Sequence, residues 1–196
     1  MSSRYQIDAD LREAKALAEG LANYLRGPEL YGQAGGFFSS MPSLTVGALL
    51  LRLRRLEALR SQFDSRQRTV LDQARRQHDE ALREWRQHYE QKVIREAQSR
   101  LEAMRPFLKE ASDEPRQAAN LYPPEMLRRT IVQELFRWAD EQAVDLGDSR
   151  ALARSIDDRL RSIARPSEFQ WAALLAEVYP AAEFWWLYAR PPQVDK

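Results

Sequence analysis

The chain has no cysteine among its 196 residues. Disulfides, thiolate nucleophiles and every cysteine-based zinc site are therefore excluded, and the composition fits a reducing compartment. Histidine is nearly as scarce, with His78 and His88 alone. Both fall in one expected helix, ten positions apart, which sets them about 80° apart around the axis and roughly 15 Å along it. They cannot share a metal ion. Glu84 and His88 at i, i+4 make half a metal site, but the di-iron pattern needs Glu-x-x-His on two helices and the chain has none. Both histidines are expected on the solvent face, with no metal and no cofactor bound.

Long apolar runs are also missing. Runs such as Ala48–Leu51, Trp171–Ala176 and Phe184–Ala189 reach six residues at most, far short of the roughly 20 residues that span a membrane. Met1 to Tyr5 leads into a polar segment rather than a secretory apolar region. A cytoplasmic protein with no membrane association is expected. The nucleophile elbow G-x-S-x-G is absent, as are the phosphate-cradling Gly-rich patterns.

Glycine and proline are absent from Ala48 to Arg105, a stretch of 58 residues rich in Arg, Glu, Gln, Leu and Ala. Breaker-free sequence of this kind reads as one very long helix or a helical hairpin. Hydrophobic residues make up 44% and charged residues 30%, enough to build a core rather than a disordered chain. The formal net charge is +1, so no overall field draws the chain to nucleic acid or membrane. Charge is nevertheless uneven: Ala48–Glu110 carries +5, the segment before it −1 and the segment after it −3.

The fold expected is all-α, a single domain over 1–196. A first helix (8–26) begins at Asp8 as N-cap and buries Leu11, Ala14, Ala18, Leu21 and Leu25; Gly27-Pro28 stops it. A Gly/aromatic loop (27–42) follows, tucking Phe37 and Phe38 into the core. A long helical hairpin (43–111) starts with a helix capped by Ser43 and buried nearly all round, as Leu49-Leu50-Leu51 implies. Asp64, with Gln67 in the capping-box position, marks a turn. From about Ser65 to Met104 the sequence predicts one nearly straight helix of about 60 Å. Leu82, Trp85, Tyr89, Val93, Ala97, Leu101, Met104 and Leu108 recur at a mean step near 3.7 residues and predict one buried stripe. Pairs such as Arg75–Asp79, Arg86–Glu90 and Lys92–Glu96 would lace its solvent face.

Pro106 predicts a kink near Glu102. Pro115 and Tyr122-Pro123-Pro124 read as a connecting segment before a smaller C-terminal half (helices over 124–188). There, Leu127, Ile131, Leu135 and Trp138 line one helix, and Asp148 caps the next, with Leu152, Ile156, Leu160 and Ile163 on its inner face. Ser167 and Gln170 would box a third. Pro180 would start a last short helix over Ala181–Tyr188. No strand is expected.

Two surfaces suggest function. Arg52, Arg54, Arg55, Arg66, Arg68, Arg75 and Arg76 form a basic stripe that could track nucleic-acid phosphates. The alternative for these arginines is stems covering the core with heads in water. Trp185-Trp186 is the other. Phe184, Trp185 and Tyr188 would share one helical face toward the core, leaving Trp186 at its edge as a contact for a protein partner or a second copy; Trp185 and Tyr188 border it. The leading expectation is a non-enzymatic interaction or scaffold protein, with no catalytic residue named. Nucleic-acid binding through the arginine stripe is the alternative, and an enzyme with an unrecognised carboxylate site comes third.

Overall fold

The computed structural model describes residues 5–34, 41–113 and 115–192. They are mostly helical, with a few two-residue strands. Contacts divide the chain into two compact units, Gln6–Glu96 with Glu134–Val144, and Met1–Tyr5 with Ala97–Gln133 and Asp145–Lys196.

In the first of these, α1 (Ile7–Arg26) buries the expected stripe, Leu11, Ala14, Ala18, Leu21 and Leu25, together with Leu17 and Tyr24. It starts slightly earlier than Asp8, which lies in its first turn and accepts a hydrogen bond from Gln67 Nε2 at 2.8 Å. Two strands were not foreseen: β1 (Gly32–Gln33) pairs antiparallel with β2 (Ser43–Leu44). Ser43 is thereby held in the strand, two residues ahead of the position that caps the helix. Thr45 caps α2 (Val46–Ala58) instead, its hydroxyl accepting from Ala48 N. Phe37 and Phe38 lie outside the described residues. Leu49, Leu51, Leu53 and Leu56 of α2 are buried and Leu50 half-buried, as a helix enclosed by neighbours requires. Asp64 and Gln67 form the full capping box that opens α3 (Ser65–Glu84).

The single long helix does not form. The chain leaves helical geometry at Trp85, where ψ is 35° against the roughly −42° of an α-helix, and resumes as α4 (Arg86–Glu102). The break is a sharp bend. His78 Nε2 and Tyr89 Oη are 2.9 Å apart, yet eleven residues of straight helix would separate their backbones by about 16.5 Å, more than both side chains can bridge. No breaker residue causes it; tertiary contact does. Tyr89 packs at a tilt against Trp138 with ring centres 4.8 Å apart, and Trp85 meets the edge of His88 and the guanidinium of Arg26. One residue in a sparsely populated region costs on the order of 1–3 kcal/mol, which the burial of Tyr89 and Val93 offsets. Trp85, expected inside, is half-buried.

Lys92 and Glu96 are the second surprise. Expected as a solvent-face pair, both are buried. Lys92 Nζ donates to the carbonyls of Gly27 (2.9 Å) and Glu29 and lies 4.3 Å from the Tyr24 ring centre, a cation on the C-terminal end of α1. Glu96 Oε2 accepts from Gly47 N at 2.9 Å, an anion on the N-terminal end of α2. One turn of α4 thus caps two other helices with the signs their dipoles favour.

In the other unit, α4 ends at Glu102 and α5 (Arg105–Asp113) begins beyond the two turn residues Ala103 and Met104, with Phe107 and Leu108 buried. The interruption expected near Glu102 thus falls at Ala103 and Met104, just ahead of Pro106 in the first turn of α5. The expected connecting segment is helix as well: α6 runs from Pro115 to Glu141 with Pro123 and Pro124 inside it. Both prolines are exposed, on the face of the helix away from the core. Leu127, expected inside, is 40% exposed.

Beyond α6, Val144 N bonds Ala139 O at 2.8 Å and Ala143 N bonds Asp140 O, the paired closure of a left-handed C-terminal cap. Ala143 holds the left-handed position at φ 54°, where a Cβ is penalised. Ala143→Gly should therefore raise stability by about 1 kcal/mol, read as a higher urea midpoint at unchanged slope.

Helix α7 (Ser149–Ile163) buries Ala153, Ile156 and Leu160. After it the two expected helices are missing. Residues 164–192 form a loop closed by β3 (Arg165–Pro166) against β4 (Ala189–Arg190), with single 3₁₀ turns at Ala173–Leu175 and Trp185–Tyr188. Ser167 N and Gln170 N bond the carbonyls of Tyr188 and Leu187, both at 2.8 Å. Gln170 Nε2 donates to the Ser167 hydroxyl at 2.9 Å, but neither bond of a capping box forms, because both backbone N–H groups are taken by these carbonyls.

Candidate functional site

Within the first unit, a cleft of about 340 Å³ opens between α2, α3 and the end of α6, at the small end of ligand-sized sites. Leu50, Leu53, Leu82 and Trp138 supply apolar surface. Arg54 and Glu57 of α2, Arg75 and Asp79 of α3, and Glu134, Arg137 and Glu141 of α6 surround it with mixed charge. Arg54 Nη1 stands 3.4 Å from Glu134 Oε1, and Arg75 Nε 3.9 Å from Asp79 Oδ2.

His78 is part of this lining. It is 3% exposed, which corrects its expected place on the solvent face; His88 is exposed as expected. Nδ1 of His78 lies 2.8 Å from Asp79 Oδ1 and Nε2 lies 2.9 Å from the Tyr89 hydroxyl. Burial pushes the imidazole below its ordinary range, the Asp79 carboxylate opposes that, and Arg75 adds to it. Tyr89 has no exposed surface, and burial holds its phenol well above the usual range, with Glu96 adding to the effect. It stays protonated and donates.

The sequence resembles a catalytic set here in order only. Carboxylate, imidazole and hydroxyl are in line, but the hydroxyl is closed off from any substrate. Among the described residues no group of three or more His, Asp and Glu is placed to hold a metal ion.

The arginine stripe separates into two sets. Arg52 is bound to Glu13 (Nε to Oε2, 2.7 Å) and to the carbonyl of Ala48, with Asp10 3.6 Å away; Arg55 lies 3.7 Å from Asp10; Arg54 faces Glu134. These three heads are largely buried among carboxylates. Arg66, Arg68, Arg75 and Arg76 of α3 are exposed.

The aromatic pair is placed opposite to expectation. Trp186 is 1% exposed while Trp185 and Tyr188 are half-buried. Phe184 leaves helical geometry at φ −121° and ψ 45°, which shifts the phase and turns Trp186 inward. Its indole N–H donates to Thr130 Oγ1 at 2.9 Å, its carbonyl accepts from the Tyr122 hydroxyl, and the Arg129 guanidinium lies 4.0 Å from its ring centre. Arg129 in turn holds Asp157 through two bonds of 2.8 and 2.9 Å. Trp185 is covered on one face by Arg161, 4.4 Å away.

No described helix is long and apolar enough to cross a membrane. Comparison with protein families, with curated proteins and with solved structures finds no match.

Proposed function

We propose that this chain is a non-enzymatic interaction module that docks a protein partner, or a second copy of itself, at the cleft of α2, α3 and the end of α6. The observation that carries the reading is the character of that cleft. Leucines and Trp138 form an apolar floor, and alternating acids and bases rim it. Such a rim sets register and partner choice more than affinity. The groups best suited to proton transfer are committed inside the fold, His78 through both ring nitrogens.

The test reverses the rim charges at two exposed positions, Arg75→Glu with Glu141→Arg. Wild-type chain should self-associate in light scattering or retain a defined protein from its source lysate. The double variant should lose that association at least about tenfold, about 1.4 kcal/mol, with an unchanged melting curve. Undiminished association in the variant would contradict the reading, as would saturable turnover of a substrate that depends on Glu134.

A second reading is nucleic-acid binding, favoured by exposed Arg66, Arg68, Arg75 and Arg76. Four guanidiniums interrupted by Asp72 and Asp79 make a short footprint, and Arg52, Arg54 and Arg55 are spent on carboxylates. Such a surface supports only weak, salt-sensitive binding, on the order of 10⁻⁴–10⁻⁶ M.

A further inference from the structure

His78 joins α3 to α4 across the bend at Trp85. Asp79 accepts only, so the hydrogen on Nδ1 points to it, and Nε2 presents the lone pair that accepts the Tyr89 O–H. The ring lines the cleft, as Trp138 does. Asp79 and Arg75 of α3 act on it directly, and the other charged and titratable groups lining the same cleft are Arg54 and Glu57 of α2 and Glu134, Arg137 and Glu141 of α6. Tyr89 comes from α4, and Tyr24 of α1 acts electrostatically on Tyr89.

We propose that His78 is a proton-operated latch: neutral, it holds α4 to α3 by accepting the Tyr89 O–H, and doubly protonated it can no longer accept, which strands that O–H and frees the first turns of α4. The second proton reaches the ring from the cleft and binds Nε2, which turns from acceptor into donor. The Tyr89 oxygen can accept, but its own hydrogen must then swing away from the ring within a fully buried site. The cation is placed beside Arg75, and Asp79 offsets only part of that.

Burial lowers the proton affinity of the folded ring. Folding stability from the latch is therefore complete above the ordinary imidazole value of about 6.5. It is lost as pH falls from there toward the lower value of the folded state. The latch rests on the cleft being the binding site, because Tyr89 supports Trp138 in its floor. Its test uses no partner, so either proposal can fail alone.

With two histidines in the chain, the imidazole carbon-bound protons give two readable NMR signals. One should titrate below the ordinary imidazole value and vanish in His78→Gln. Amide exchange over α4 residues 86–96, corrected for its intrinsic pH dependence, should quicken about tenfold or more between roughly pH 7.5 and pH 5, while α1 stays protected. Gln can donate to Asp79 and accept from Tyr89 without titrating, so His78→Gln should abolish the pH response, and His88→Gln should leave it intact. Tyr89→Phe keeps the ring and removes the hydroxyl, and should exchange fast at both pH values. Exchange independent of pH in the wild type would overturn the latch. So would a response that survives in Tyr89→Phe, or one that disappears in His88→Gln.

Discussion

Trp186→Ala is expected to destabilise its unit by about 4 kcal/mol, within the 3–5 kcal/mol typical of a buried Trp lost to Ala. Three further interactions go with the ring: the hydrogen bond to Thr130, the cation over its face and the edge contact with Phe184. Arg129 would be left with Asp157 but without the indole beneath it. Trp185→Ala should cost about 1 kcal/mol, because that ring is half-buried and its Arg161 contact faces water. Urea unfolding followed by circular dichroism separates the two. A larger loss for Trp185 than for Trp186 would restore the helical phase read from the sequence.

Glu96→Ala is the second large effect, about 3 kcal/mol. A charge-assisted bond to a buried backbone N–H contributes roughly 1.5–3 kcal/mol. Its removal strands Gly47 N in a buried site and leaves the N-terminus of α2 one acceptor short. Lys92 would remain buried one turn away with its carbonyl partners. Glu90→Ala is the control: its pair with Arg86 is solvent-exposed and contributes about 0.3–0.5 kcal/mol. If the two variants unfold at the same denaturant concentration, Glu96 is not the cap described here.

Local signals in the sequence were read correctly where local physics decides. The Asp64–Gln67 box, the stop at Gly27-Pro28, the apolar stripe of α1 and the stripe of α4 from Tyr89 to Leu101 each depend on spacing along one helix. Expectations failed where a distant contact overrode propensity. Nothing near Trp85 breaks a helix; Tyr89 finding Trp138 and His78 does. Pro123 and Pro124 stay in a helix, on its exposed face.

The cleft was partly legible. Leu71, Ala74, His78 and Ala81 are the buried residues of α3, spaced 3, 4 and 3, and that spacing could have put His78 inside. Glu134 and Arg137 gave no such sign, because only the fold brings the end of α6 to α2 and α3.

The bend at Trp85 sets the floor of the cleft, the Tyr89–Trp138 contact and the hydrogen bond to His78. The direct measurement is the nuclear Overhauser contact between the His78 imidazole and the Tyr89 ring at neutral pH. With ring centres 5.7 Å apart and edge-on, the protons should be close enough for a clear cross-peak that disappears in His78→Gln. A continuous helix holds these backbones about 16.5 Å apart and would show none, which would contradict the bend and the cleft built on it.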